Sequence, residues 1–170
     1  MRVLFLGDIV GRTARNMVIE SAAALRAELQ LDFLVVNCEN AAGGFGVTPQ
    51  ICDDLFAAGI DVLTTGNHVW DKREIVDYIE QQPRLLRPLN MAEGTPGKGV
   101  VHVTNDAGAR LTVINVMANL FMAPAHECRV WPPPCSNITV GASSGPATSP
   151  TRTTPSEAAN LRSEIFILCI

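Results

Sequence analysis

The sequence predicts an α/β fold built on a parallel sheet, and three observations carry that expectation. Short, mainly apolar runs of strand length recur at Val3–Leu6, Phe33–Val36 and Val62–Thr65. Segments with helical periodicity separate them, and such an alternation gives right-handed β-α-β crossovers. Each run also stops at a polar cluster: Asp8 after the first, Glu39-Asn40 after the second, Asn67-His68 after the third. In an open parallel sheet ligands gather at the carboxyl ends of strands, so these three tips should meet in one crevice.

The elements come in this order. Val3–Leu6 is a continuous apolar run, as expected for a strand covered on both faces. Thr13 can cap a helix that carries Val18, Ala22, Leu25 and Leu29 on one side. Phe33–Val36 is the second buried strand. Thr48-Pro49 pairs a cap with proline at the first helical position, and Gly59 closes that helix. Val62–Thr65 is the third strand. Asp71, with Glu74 three residues on, reads as a capping-box start for a helix reaching about Glu80. Beyond Gln82 the rhythm changes: Arg84–Arg87, Gly99–Thr104 and Arg110–Val116 read as strands without long helices between them. The turn Asn105-Asp-Ala-Gly108 joins the last two. Shorter mixed strands after a parallel core predict two packed sheets with helices outside.

Composition bounds the function. With 170 residues the chain can bury a substantial core, and 47% hydrophobic against 18% charged residues argues against global disorder. A net charge of −4 and a pI near 5.3 give no general electrostatic grip on nucleic acid, so no DNA partner is expected. No run reaches the ~18 apolar residues that a membrane span needs. The N-terminus is a strand pattern with Asp8 close behind it, not a secretory leader, and a cytoplasmic protein is expected. Cys38, Cys52, Cys128, Cys135 and Cys169 match no zinc spacing. Cys38 and Cys52 read as small buried residues, with Cys38 close enough to Glu39 to line the site as the alternative. Disulfides are not expected in that compartment.

The polar tips carry the chemistry. Asp8 lies in Gly7-Asp8-Ile-Val-Gly11-Arg12, too far upstream to cap a helix starting near Thr13, and a metal carboxylate is the favoured reading. Glu39 at a strand tip could bridge two cations and Asn40 adds a neutral oxygen; on its own, this glycine-rich stretch reads equally as a flexible connection. Asn67 can supply a carbonyl oxygen, and His68 in the same turn can protonate a departing alkoxide. Together the tips read as a hard-metal site with a proton donor beside it. His102 and His126 are read as structural, and Trp70 with Asp71–Glu74 as a helix start. The loop Glu93–Gly99 lacks the P-loop spacing and a following helix, so it is read as a turn, with phosphate contact as the alternative.

Gly7-Asp8, Glu39-Asn40-Ala-Ala-Gly43, Gly66-Asn67-His68 with Trp70-Asp71-Lys72, and Arg87-Pro88 with Glu93–Gly99 resemble the bacterial YmdB-like metallophosphoesterases, a group of the calcineurin-like phosphoesterase superfamily. The resemblance runs from Met1 to about Met122–Cys128. It implies an α/β/β/α sandwich, incomplete in this chain, and hydrolysis of phosphodiesters such as 2′,3′-cyclic AMP, with two divalent iron or manganese ions as cofactors. It implies that Asp8 and Asn40 bind one metal, that Glu39 bridges both, that Asn67 binds the second and that His68 donates the proton. The superfamily's usual Asp-x-His is absent at Asp8-Ile9-Val10, as is typical of this subgroup.

Residues 1–128 are thus expected to form a partial metallophosphoesterase domain. Residues 129–170 are of another kind: Pro132-Pro-Pro134 interrupts any element, and Ser, Thr, Pro, Gly and Ala dominate the next 30 residues. The segment holds no Asp, Lys or His. All of 129–170 is expected to be disordered, an apolar run returning only at Ile165–Leu168. The abrupt change near Cys128–Arg129 predicts a truncated or frame-shifted member with impaired activity, and a linker to a further domain has the same composition. The family's second half supplies three histidine ligands, and nothing in 129–170 corresponds to it. The competing expectation is a catalytically inactive module that binds a nucleotide or a protein partner.

Overall fold

Four parallel strands and three helices form the half of the molecule that holds the strand tips. The computed structural model describes residues 1–118 and the backbone of Ser163–Cys169. The first sheet comprises β1 (Val3–Leu6), β2 (Phe33–Asn37), β3 (Val62–Thr64) and β4 (Leu85–Leu86) in that order, all parallel. Between them run α1 (Gly11–Leu29), α2 (Pro49–Ala57) and α3 (Ile75–Gln81). Right-handed crossovers between neighbours in sequential order put all three helices on one face. Their apolar residues, Ala22, Ile51, Cys52, Leu55, Ile75 and Ile79, pack there on Leu34, Val36, Leu63 and Leu85.

The opposite face meets a second sheet. β5 (Val100–Thr104) and β6 (Arg110–Val116) form the expected antiparallel hairpin, closed by a Gly108 N–H to Asn105 O bond of 2.9 Å. Leu111 and Val113 pack on Phe33, Val35, Val62 and Leu86 to fill the space between the sheets. Period-two alternation explains the selection: in β6 the odd positions 111, 113 and 115 turn inward, and their neighbours face away. The described residues therefore supply three layers, α/β/β, of the sandwich expected from the sequence. Asn115 pins the sheets to one another from within the core, its amide donating to Thr65 O at 2.7 Å and Leu86 O at 3.2 Å.

Several local expectations change. α1 begins at Gly11, not after Thr13, because the Gly11 N–H is taken by Asn40 O at 2.9 Å and needs no side-chain cap. Leu29 ends that helix 41% exposed and does not join the packed side. Asp71 does not cap α3, which starts at Ile75 after a 3-10 turn over Asn67–Trp70. Arg84–Arg87 contracts to Leu85–Leu86 and joins the parallel sheet as a fourth strand. β1 is half-buried and lies at the sheet's edge, paired with β2 alone among the described strands. The Thr48-Pro49 start holds as expected, with Thr48 Oγ1 accepting from Ile51 N at 3.3 Å. Ser163–Cys169 falls inside the segment expected to lack regular structure; its backbone forms β7, parallel to β6. The apolar run Ile165–Leu168 is the reason a strand is possible there. Positions 119–162, with His126, Cys128 and Cys135, lie outside the described residues.

Candidate active site at the strand tips

Parallel register brings the three polar clusters to one edge. Leu6 pairs with Val36 and Asn37 with Thr64, so the chain leaves β1, β2 and β3 at nearly the same level. Backbone bonds then staple the tips together: Ile9 N–H to Asn37 O at 3.1 Å and Cys38 N–H to Thr64 O at 3.0 Å. Ile9 is buried and acts as the anchor, which leaves Asp8 exposed just before it.

Asp8 and Asn40 touch directly, the Asn40 amide donating to Asp8 Oδ2 at 2.6 Å. That bond turns the amide oxygen the other way, and Asn40 Oδ1 is buried without a hydrogen-bond partner among the described residues. A buried acceptor left unpaired is costly, so an orphan of this kind beside a carboxylate marks a place for a cation or water.

Glu39 is the more unusual group. Its side chain is 5% exposed, and no Lys, Arg or His forms an ion pair with it among the described residues. From the described residues its oxygens receive two bonds: Asn37 Nδ2 to Oε1 at 3.4 Å and His68 N–H to Oε2 at 3.2 Å. Burying a carboxylate this way is expensive unless a positive group joins it. Gly66 makes the arrangement possible. A Cβ there would lie 2.5 Å from Glu39 Oε2 and 2.6 Å from Oε1, so any side chain would occupy the carboxylate's place.

His68 is held by its own turn. Its Nδ1 lies 2.7 Å from Asp71 Oδ2, and the Phe45 ring meets its edge at 5.2 Å between centroids. With Nδ1–H donated to the carboxylate, Nε2 is the nitrogen left for chemistry. The sequence reading missed Asp71 in this role; the i, i+3 spacing to His68 across a turn was the available signal. Asn67 opens the same turn with an exposed side chain and joins the cluster through the backbone of Gly66 and His68. Asp8, Glu39, Asn40 and His68 are thus linked by hydrogen bonds or chain adjacency, with Asn67 on the rim.

As a metal site the cluster offers oxygen donors: two carboxylates and two carboxamides, a set suited to hard divalent cations. Among the described residues no three or more His, Cys, Asp or Glu side chains are placed together to hold a metal ion. The orphaned Asn40 oxygen and the Glu39 carboxylate, which has no ion-pair partner among the described residues, are the donors whose chemistry suits a cation.

Two other candidates, Cys38 and His102, separate from the site. Cys38 is fully buried; its hydrogen bond with Cys52, together with burial, pushes its thiol well above the usual range, so it lies in the core and does not line the crevice. His102 is exposed on β5, with Nδ1 2.8 Å from Thr112 Oγ1. The loop 93–99 is a structural turn. Its Pro96 carbonyl accepts from Arg87 Nε at 3.2 Å, and Gly99 packs so closely that a Cβ would lie 2.4 Å from Leu89 Cα.

Residues 4–130 match the family model described as "YmdB-like protein". The chain is similar to the 2′,3′-cyclic-nucleotide 2′-phosphodiesterase of Bacillus subtilis (strain 168), with 46% identity over 127 residues, 75% of this chain and 48% of that protein. It is also similar to the crystal structure of a hypothetical protein from Thermus thermophilus, with 35% identity and a TM-score of 0.67 over 73% of this chain and 48% of the other. A phosphatase structure from Mycoplasma pneumoniae gives 29% identity and a TM-score of 0.62 over 69% of this chain and 43% of the other. The chain thus spans about half the length of the Bacillus relative. The family match begins inside β1 and takes in all three strand tips, and on that extent the chain belongs to the YmdB-like protein family.

Proposed function

We propose that the strand-tip cluster is half of a dinuclear metal centre and that the chain descends from phosphodiesterases acting on cyclic nucleotides. The observation that carries the reading is the buried Glu39 carboxylate, without a counter-cation among the described residues, in the residue next to the orphaned Asn40 oxygen. Iron or manganese would be held by Asp8, Glu39, Asn40 and Asn67, with Glu39 shared between the two ions. When bound, such ions neutralise phosphoryl charge and activate water. In its imidazolium form His68 gives its Nε2 proton to the departing ribose oxygen, while Asp71 holds the Nδ1–H, fixes the ring and stabilises that charged form. The activity for which the Bacillus relative is named supports a 2′,3′-cyclic nucleotide as substrate.

Two cations, each five- or six-coordinate, need roughly ten or more donor positions between them, part of them filled by water. Four oxygen-bearing side chains fall short of that, so we propose that turnover by the 170-residue chain alone is slow. The same shortage favours, as a second reading, a module that binds a nucleotide without hydrolysing it.

Titration of Mn²⁺ into the chain, followed by assay of 2′,3′-cyclic AMP, separates them. Saturable metal binding with hydrolysis that stops on chelation supports the enzyme. Nucleotide binding without metal dependence or turnover supports the module and overturns the first reading. Asp71→Asn is expected to lower kcat about ten-fold with KM nearly unchanged, a part of the ~10²–10⁴-fold that positioned proton transfer contributes. Steady-state kinetics at saturating Mn²⁺ checks it, and an unchanged kcat would remove Asp71 from the mechanism.

A further inference from the structure

We propose that Phe45 is the platform on which the base of a bound nucleotide stacks, an inference that rests on the phosphodiester reading of the neighbouring site. A single exposed apolar side chain is ordinary and needs no explanation. Phe45 differs in how it is held. It is 60% exposed at the tip of the loop after Asn40, yet the loop is tightly braced. Ala42 N–H donates to Gly46 O at 2.9 Å, and Gly44 N–H to Asn40 O at 3.1 Å.

Three left-handed glycines flank the ring: Gly43 at φ 75°, Gly44 at 103° and Gly46 at 76°. Only glycine adopts such angles freely, so this backbone path is available to few sequences. Gly46 is buried against the next element; a Cβ there would lie 2.9 Å from Lys72 Cγ and 3.2 Å from Asp71 Cβ. The loop therefore docks on the same Asp71 that orients His68. Phe45 and His68 share one rigid support, which fixes their edge-to-face contact at 5.2 Å and 64°.

That placement suits a nucleoside. If the leaving ribose oxygen sits at His68 Nε2, the base lies one sugar ring away, within reach of the exposed Phe45 ring. Base–aromatic stacking tolerates any base, and a purine offers the larger face. The pre-fixed ring loses little freedom on binding. Phe45 thus selects nucleotides over phosphodiesters without a base, and purine over pyrimidine.

Calorimetric titration of the full chain with Mn²⁺ present, using adenosine 3′-monophosphate, cytidine 3′-monophosphate and inorganic phosphate, tests this. The expected wild-type order is adenosine over cytidine nucleotide over phosphate, with the first about ten-fold tighter than the last, at the low end of a base stack. Phe45→Ala should bring the adenosine nucleotide to the phosphate level and leave phosphate affinity unchanged, while Phe45→Trp keeps or increases the preference. Should Phe45→Ala also weaken phosphate, Phe45→Trp decides: a preference below wild type overturns the proposal. Equal wild-type affinity for phosphate and nucleotide, or a preference retained in Phe45→Ala, overturns it and leaves the phosphodiester reading standing. A wild type that binds none of the three defeats both.

Discussion

Gly66→Ala is expected to weaken Mn²⁺ binding by more than about 100-fold, beyond the ~10–100-fold usual for loss of a supporting residue around a metal. The reason is space. Gly66 is buried, and the added methyl would coincide with the Glu39 carboxylate, 2.5 Å from Oε2 and 2.8 Å from Cδ. Glu39 cannot retreat cheaply: Asn37 holds one oxygen, the His68 backbone holds the other, and its own N–H is bound to Asn37 Oδ1 at 3.0 Å. If the carboxylate gives way, it leaves the crevice as the charge that would meet the cation. If the backbone gives way, it moves Asn67 and His68, the next two residues. Either route dismantles the cluster. Gly7→Ala is the matched control, because a Cβ there meets nothing within 4 Å. Isothermal calorimetry with Mn²⁺ on the two variants checks the claim. Metal affinity within three-fold of wild type in Gly66→Ala would mean that Glu39 is not a ligand.

The parts of this fold that were legible in the sequence are those written in local chemistry. Val3–Leu6 and Arg110–Val116 were read to the residue because apolar runs and alternation are direct consequences of which face is covered. Thr48-Pro49 was readable because a cap and a first-turn proline act within three residues. Convergence of Asp8, Glu39 and Asn67-His68 came from topology alone, since parallel neighbours must end on the same side. The features that stayed hidden depend on distant partners. Thr13 looks like a helix start until Asn40 O claims the Gly11 N–H. Asp71 has the spacing of a capping box, but a carboxylate beside an imidazole has a better partner than a backbone N–H. Gly66 looks like an ordinary turn glycine, and only the position of Glu39 reveals that no side chain fits. Asn115 sits in an apolar alternation as though misplaced. Its use, two carbonyls at the ends of β3 and β4, exists only once the sheets are packed.

His68→Ala is expected to slow hydrolysis of 2′,3′-cyclic AMP by about 10²–10⁴-fold, the range of a positioned general acid. The size of the loss should depend on what leaves. A ribose alkoxide is a poor leaving group and needs its proton as the bond to phosphorus breaks. A nitrophenolate spreads its charge over the ring and departs without one. With bis-p-nitrophenyl phosphate the same variant should therefore lose less than about ten-fold, since Asp8, Glu39, Asn40 and Asn67, the residues proposed to hold the cations, are untouched. Asp71→Asn should show the same order on the two substrates, weakly, because it acts only through the ring it orients. The comparison also separates proton donation from mere packing. His68 touches Phe45 and carries the backbone N–H that binds Glu39, so damage to the site's shape would slow both substrates alike. Steady-state kinetics at saturating Mn²⁺ decides between these outcomes. Equal losses on the cyclic nucleotide and the nitrophenyl ester would assign His68 to the scaffold and remove it from the chemistry.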